Sequence, residues 1–396
     1  MPWLQTDPME QQVQFFLEYK RGDRTIVDLS KKYGISRKTA YKWLTRFREE
    51  GYKCALIPRS RARKTPLKRI DSQLESRIVG LRQQKPRWGG KKIAELLMTK
   101  YPEYGKIHAS TVNRVLTRHG LITPRKRSRV KYGGIHSVQE GKSESNDIWT
   151  IDFKGDFVLG NKLRCYPLTI QDFETRFLLC CHGLSEPKIS KCIDIMDLVF
   201  TEFGLPRVIH SDNGTQFVSG GFGGLNMLSV WWIKQGIMPK RSRPRHPEEN
   251  PRHERMHREL KAETAKPPKA DFNQQQVAFN KFRYEYNCER PHEGIEMKTP
   301  ASIYTPSNRA YNRKDKLDDY SELFDVQRAN NTGAIKLGRR KFQLSLALRN
   351  EPIGIKLKTP NDVELYYGPI FLGEANLQTG GMIDRTKIPK RGKHIK

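Results

Sequence analysis

Several features are missing from this chain of 396 residues, and each absence narrows its chemistry. No apolar run is long enough to span a bilayer, and the polar opening MPWLQTDPMEQQ lacks the pattern of a signal peptide. Both absences predict a soluble, cytoplasmic protein with no membrane partner, nucleoid-associated if the host is prokaryotic. The six cysteines (Cys54, Cys165, Cys180, Cys181, Cys192, Cys288) form no CxxC pair and no Cys/His cluster at zinc spacing. Four lie in apolar stretches, as expected of reduced, buried thiols. No GxxxxGK[ST] string occurs, which speaks against an intrinsic ATP site. Acidic residues are scarce: 43 Asp and Glu against 73 Lys and Arg, a net charge of +30. With 36% hydrophobic residues and a mean hydropathy of -0.74, the chain suits several modest cores joined by basic linkers.

The positive charge is uneven. Residues 1–146 hold 33 Lys and Arg against 13 Asp and Glu, so this third carries +20 of the net charge. A polyanion gripped by the amino-terminal part fits this asymmetry better than a merely solvated basic surface, because helical patterns coincide with the charge. Gln11 to Tyr19, Arg24 to Tyr33, and a stretch capped by Ser36 and ending near Gly51 read as three helices. Ala40, Leu44 and Phe47 should face a core. Arg37, Lys38, Thr39, Tyr41 and Lys42 then remain on the outer side of a recognition helix, where base edges and phosphates are touched. A second unit follows the linker RSRARKTPLKRI, whose Arg61 and Arg63 are candidates to lie across phosphates or in a minor groove. In it Ile93, Leu96, Leu97, Val112, Val115 and Leu116 form the inward stripe, leaving Thr111, Asn113 and Arg114 available to DNA. Two helix-turn-helix readers in tandem are the expectation.

From Asp147 the pattern changes to strand-length runs, DIWTIDFKGDFVL, RCYPLTIQDF and RFLLCCHGLS, which read as an antiparallel meander. An apolar helix from Ile189 to Phe203, two short strands and a charged helix from Glu248 to Glu263 predict a mixed α/β sheet. Asp152 sits within an apolar strand, where an unpaired carboxylate is costly unless a cation meets it. Asp212 precedes Asn213-Gly214, a turn that presents its carboxylate at the carboxyl end of a strand, where open α/β sheets place ligands. Asp156 and Asp172 compete with Asp152 but read as solvated or structural. Glu248, Glu249, Glu254 and Glu259 all compete for a third position. Carboxylates gathered in a strongly basic chain suit hard divalent cations acting on a phosphodiester. His210, His246, His253 and His257 lie nearby, and phosphate contact or core packing explains them better than a histidine metal site.

The strings WTIDF, HSDNGTQF and HPEENPRHERMHRELK, in that order, resemble the RNase H-like catalytic core of retroviral integrases and related insertion-sequence transposases. YNCERPHEGI and TPASIY downstream are similar to that family too. The resemblance implies a DDE transposase whose catalytic and metal-binding triad is Asp152, Asp212 and Glu254. It would hold Mg²⁺ or Mn²⁺, two ions per site, with Arg258 and Lys261 beside Glu254 along a DNA backbone. Hydrolysis at a transposon end and strand transfer into target DNA would follow, by a homo-oligomer on double-stranded DNA. Two departures stand out: Pro251 where relatives often have Gly, and 41 residues between Asp212 and Glu254, an interval that the Gly-rich SGGFGGLNM stretch would explain.

After a helix from Phe272 to Asn287, apolar at Val277, Phe279, Phe282 and Tyr286, short strands alternate with the turn signals NNTG, LGRR and YYGP. They predict a small SH3-like β-barrel with Arg339, Arg340 and Lys341 as candidate DNA contacts, or with a structural role alone. The expected class is multidomain α+β, with all-α readers, an RNase H-like core and the barrel. Its divisions are 1–58 and 71–123 for the readers, with a basic linker at 59–70, then a linker at 124–144 and the core at 145–305. A linker at 306–321, the barrel at 322–375 and a basic tail at 376–396 complete it. A DNA-binding regulator that has lost its chemistry, or a structural oligomerisation factor, would share the readers but not need the acids.

Overall fold

The computed structural model describes residues 8–57, 70–122, 144–212, 214, 216–217, 219–242 and 251–384. It falls into two compact units, Met1–Asp71 and Ser72–Lys396.

The first unit is three helices, α1 (Pro8–Arg21), α2 (Ile26–Lys32) and α3 (Arg37–Leu56). Thr25 Oγ1 accepts the Asp28 N–H at 3.3 Å and Ser36 Oγ accepts the Thr39 N–H at 3.1 Å, so each helix start satisfies a donor that the helix leaves free. Phe15, Leu29, Tyr33, Ile35, Ala40 and Leu44 form the core. Helix α1 outruns the expected Gln11–Tyr19 span at both ends, because its first and last turns are polar and invisible to apolar periodicity.

In the second unit α4 (Ser72–Gln84), α5 (Gly90–Lys100) and α6 (Ala109–Arg118) form another small helical body. The expected stripe from Ile93 to Leu116 is buried. Gly90 packs close against α6: a Cβ there would displace the Asn113 side chain, 2.1 Å from its Oδ1, and come within 3.1 Å of the Ala109 carbonyl. This body is tied to later parts of the chain by Lys85 with Glu285 (2.8 Å) and Glu289 (3.3 Å), and by Lys91 with Glu293 (3.2 Å).

The central sheet comprises β1 (Ile148–Phe153), β2 (Phe157–Val158), β3 (Arg164–Asp172), β4 (Leu178–Leu184), β5 (Val208–Ser211) and β6 (Met238–Arg241). Strand β3 pairs antiparallel with β1, β2 and β4, whereas β5 runs parallel to both β1 and β6. Helices α7 (Ile189–Phe203) and α8 (Met227–Lys234) cover one face. Trp149 and Ile151 meet Met196, Phe200 and Trp232 there. Helices α9 (Pro251–Thr264) and α10 (Phe272–Tyr284) pack on Cys165, Leu178 and Cys181 through Met256, Leu260 and Phe279. Strand alternation therefore turns Thr150 and Asp152 away from the Trp149 side. Pro251 is the first residue of α9, a position that tolerates its missing N–H. Val277 departs from expectation: it lies on α10 but is 68% exposed.

The carboxy-terminal strands are β7 (Asp325–Arg328), β8 (Ala334–Leu337), β9 (Arg340–Gln343), β10 (Pro352–Thr359), β11 (Asp362–Tyr367), β12 (Ile370–Asn376) and β13 (Met382–Asp384). They make an open five-stranded sheet, β13-β12-β11-β10-β7, and a separate β8-β9 hairpin. Among the described residues no pairing closes the expected barrel. The apolar side of the sheet is instead covered by Phe222, Leu225, Val230 and Ile233, which join Ile353, Leu365, Tyr367 and Leu372 in one cluster. The Gly-rich insertion is thus a socket. Phe222 N–H donates to Leu344 O at 3.0 Å, and Gly223, at φ +76°, would place a Cβ 2.5 Å from Leu372 Cδ2.

Two stretches expected as linker and tail carry structure. Residues 306–321 are strapped down, with Tyr311 OH donating to Asp197 Oδ1 at 2.6 Å and Tyr320 OH accepting the Gly368 N–H at 2.9 Å. Met382–Asp384 adds a sheet strand where a basic tail was expected. No described helix is long and apolar enough to cross a membrane.

Candidate functional site

Strand β1 carries Asp152, and Asp212 follows directly on the neighbouring parallel strand β5. Glu254 stands in the first turn of α9, which crosses the same face. The three carboxylates line one open cleft of about 830 Å³. Its walls also hold Arg87, Lys154, Arg258, Lys261 and Lys266. Gly214 N–H donates to Asp212 Oδ1 at 2.9 Å, which fixes the Asp212 side chain beside the turn. Asp212 and Glu254 are exposed and Asp152 is half-buried, so the acidic floor deepens toward β1.

That depth has an electrostatic cost. Burial first, then the nearby Asp212 and Glu254, push the Asp152 carboxyl up to about 7. Lys154 is lowered by burial and by Lys261, a second sign that this cleft crowds charge. Divalent cations would reverse both penalties for the acids, and three carboxylates supply the hard oxygen donors that Mg²⁺ prefers. The donor set fits.

Behind the cleft lies a layer of histidines. His253 and His257, four residues apart on α9, are both buried. Thr169 Oγ1 donates to the Asp152 carbonyl at 3.0 Å, so its single proton is committed. The Nε2 atoms of His253 and His257, each 2.7 Å from Thr169 Oγ1, must therefore be the donors. Thr150 Oγ1 lies 2.8 Å from His253 Nδ1 and 3.2 Å from the Gln171 carbonyl, so its one proton is shared between these two acceptors. Both imidazoles are held neutral by burial: His253 falls to about 3 and His257 lies well below its ordinary value. This assignment leaves the His257 Nδ1 lone pair facing Asp152 Oδ2 at 3.5 Å. Asp152, His253 and His257 also stand close enough to act as a ligand group, within 4.8 Å of one another. Since His253 spends both nitrogens on threonines, it is a packing residue. His257 alone keeps a nitrogen turned to the cleft.

The other candidates are scattered as follows. In the first unit Arg37, Lys38, Tyr41 and Lys42 are exposed on α3, whereas Thr39 is half-buried and engaged with the Ser36 cap. Arg61 and Arg63 lie outside the described residues, as does His246. On α6 Asn113 and Arg114 are exposed, Thr111 is half-buried, and Arg114 Nη2 donates to Thr111 Oγ1 at 3.3 Å. Arg258 and Lys261 sit in the acidic cleft itself. Arg339, Arg340 and Lys341 are exposed at the β8-β9 turn, with the Arg340 guanidinium bonded to the Gln378 carbonyl. Asp156 is paired with Arg164. Asp172 is fully buried and structural, accepting the Asn146 and Thr175 N–H groups at 2.8 Å each. Arg87, Lys154, Lys266 and the two threonines were not singled out from the sequence. Only the alternation of β1 points to Thr150.

Comparison with known proteins agrees with this layout. Family profiles described as an integrase core domain match residues 142–247 and 235–300. A helix-turn-helix domain matches residues 11–64, and a homeodomain-like domain 39–116. The chain thus combines helix-turn-helix DNA-binding domains with an integrase core domain. Among curated relatives, a 39.2 kDa protein of insertion element IS476 from Xanthomonas euvesicatoria is 28% identical over 167 residues, 41% of this chain and 44% of that protein. Protein K02A2.6 of Caenorhabditis elegans is 30% identical over 146 residues, 35% of this chain and 10% of that one. The chain therefore spans less than half the length of either relative. Among solved structures, the HTLV-2 integrase catalytic core domain in complex with magnesium is 17% identical, covering 41% of this chain and 98% of that one at a TM-score of 0.32. A simian T-cell lymphotropic virus intasome, in complex with a PP2A regulatory subunit, is 12% identical and covers 78% and 96%, at a TM-score of 0.37.

Proposed function

We propose that this chain is a DDE transposase that binds the ends of a mobile DNA element and cuts and joins phosphodiesters with divalent metal ions. The observation that carries this reading is the convergence of Asp152, Asp212 and Glu254 on one cleft walled by basic side chains. In this reading the three carboxylates hold two Mg²⁺ or Mn²⁺ ions. Such ions supply Lewis acidity to a phosphodiester and activate water or a DNA 3′-hydroxyl for in-line attack.

The chain's own residues do the rest. Arg258, Lys261, Lys154 and Lys266 offset phosphate charge around the reacting strand, so that DNA can approach an acidic floor. His257, held as its Nε2–H tautomer by Thr169, keeps an unprotonated Nδ1 3.5 Å from Asp152 Oδ2, where it is a further donor to a cation on Asp152. The α3 and α6 helices supply end recognition, with Arg37, Lys38, Tyr41 and Lys42 on the first and Asn113 and Arg114 on the second. Arg61 and Arg63, which lie outside the described residues, add phosphate contacts. Arg339 and Arg340 of the β8-β9 hairpin add sequence-independent contacts. Two ends must be joined together, so the working form is a homo-oligomer on DNA. The domain divisions follow the helical readers, the α/β core and the carboxy-terminal sheet.

The test is direct. Full-length protein and its Asp152→Asn variant are incubated with duplex carrying the terminal repeats that flank the gene, in Mg²⁺ or Mn²⁺. Metal-dependent strand cleavage or joining by the wild type alone supports the enzyme. Specific binding with no cutting by either protein supports a DNA-binding regulator instead.

A further inference from the structure

On the side of α9 away from the acidic cleft the chain encloses a second, smaller cavity of about 170 Å³. Five cations line it: Lys92 of α5, Arg176 from the β3-β4 turn, Arg252 and Arg255 of α9, and Arg290 from the YNCERPHEGI segment. The acid in its wall, Glu259, is already paired with Arg290, which also reaches Glu263 at 3.3 Å. The acids nearest the second reader are spent on other lysines, Glu285 and Glu289 on Lys85 and Glu293 on Lys91. Arg252 lies over the Phe173 ring and donates to the Phe173 carbonyl at 2.6 Å, with Glu174 at 3.7 Å. Among the described residues no ion pair reaches Lys92, Arg176 or Arg255. The Arg176 Nε is buried without a hydrogen-bond partner, and the guanidinium fits only because residue 294 is glycine, where a Cβ would lie 1.7 Å from Nη2.

We infer that this cavity is a phosphate-binding site that takes one non-reacting phosphodiester of the bound DNA, and so fixes which phosphodiester reaches the acids on the other side of α9. The site is assembled from the second reader and the core together, so engagement of end DNA by α4–α6 would complete it. The DNA source of the phosphate rests on the function proposed above; the anion chemistry does not. Like charges crowded with only partial offset from Glu259 and Glu293 at Lys92, and from Glu174 at Arg176, support it. Burial and then Arg290 hold Lys92 down to about 8, and burial, Arg252 and Arg255 lower Arg176. Five cations around one half-buried cavity, with Arg290 itself buried, favour an anion, and Arg forks suit phosphate oxygens.

The experiment measures duplex binding by the full chain in EDTA over a range of salt concentrations. It compares wild type, Arg176→Gln, Arg255→Gln and the double variant. A single shared phosphate predicts that each variant lowers the slope of log K against log salt by about one, and that the double variant loses no more than about one. A loss of about two in the double variant would mean two independent surface contacts and would overturn the site, as would no loss at all. A scan of single methylphosphonates along the duplex should reveal one position that weakens wild type but not the double variant. Identical scans would also overturn it. Should Arg176→Gln fail to give the wild-type circular dichroism spectrum, Lys92→Gln takes its place with the same expected slope. Stabilisation of the wild type but not the double variant by inorganic phosphate, with unchanged DNA slopes, would assign the cavity to a free phosphate compound and overturn the DNA assignment. Because no divalent cation is present, these slopes do not depend on catalysis: a wild type that binds with them yet never cuts when Mg²⁺ or Mn²⁺ is supplied would sink the enzyme and leave this site standing.

Discussion

Helix α9 shows opposite chemistry on its two sides. Toward the sheet edge it presents Glu254 to Asp152 and Asp212, a floor of negative charge. On its other side the same helix presents Arg252 and Arg255 to Lys92 and Arg176, a pocket of positive charge. Neither side is explained by fold stability, because each gathers like charges that repel in a low dielectric. The difference teaches that one helix can face a cation on one side and an anion on the other, the pairing that the proposed function calls for.

The sharpest break in this comparison uses two glutamates of α9 that differ only in side. Glu254→Gln should reduce metal-dependent strand cleavage by roughly 10³-fold or more while leaving the melting temperature near wild type. Glu259→Gln should do the reverse. It removes one of two partners of the buried Arg290, destabilising the fold by about 1–3 kcal/mol, with cleavage per folded molecule almost unchanged. Urea unfolding and a cleavage time course on both variants decide it.

Asp152 sharpens the acidic side. Its carboxyl is raised to about 7 in the fold from an ordinary value of 3.8, so the folded state binds the extra proton between those values. Metal-free stability should therefore fall as pH rises from about 4 to 7, by up to about 4 kcal/mol. In EDTA, Asp152→Asn should be more stable than wild type at pH 8, with the gap closing near pH 4. Unfolding curves at the two pH values check this, and a wild type equally stable at both would contradict it.

The histidine layer should cost less. His253→Ala leaves Thr150 without its ring partner, takes one of two from Thr169 and opens a cavity, a loss of about 2–4 kcal/mol by urea titration. The smallest effect belongs to the rim. Lys261→Ala should lower the salt dependence of DNA binding by about one in slope, uniformly across sequences.

How much of this was legible beforehand differs by region for physical reasons. The two helical readers and the order of strands and helices in the core followed from apolar spacing. Asp152 and Asp212 stood out by their strand and turn settings, whereas Glu254 was separated from Glu248, Glu249 and Glu259 only by the family resemblance. The arrangement behind these acids was not legible. Thr150, Thr169, His253 and His257 meet across 84 to 103 residues, a contact that no local pattern encodes. The barrel expectation failed to close because the sheet's apolar side is covered from outside, by Phe222 and its neighbours in an insertion that looked like a spacer. Residues 306–321 read as linker since their polar side chains bond to backbone carbonyls and carboxylates rather than burying apolar stripes. Strand Met382–Asp384 is only three residues long, below any periodic signal.

Calorimetric titration of the full-length protein with Mn²⁺ at pH 7.5 tests the central claim most directly. Wild type should show saturable binding that Asp152→Asn abolishes and that Asp212→Asn and Glu254→Gln each weaken. Indistinguishable titrations for all four proteins would mean that the three carboxylates share a cleft without sharing a cation, and the proposed chemistry would fall with them.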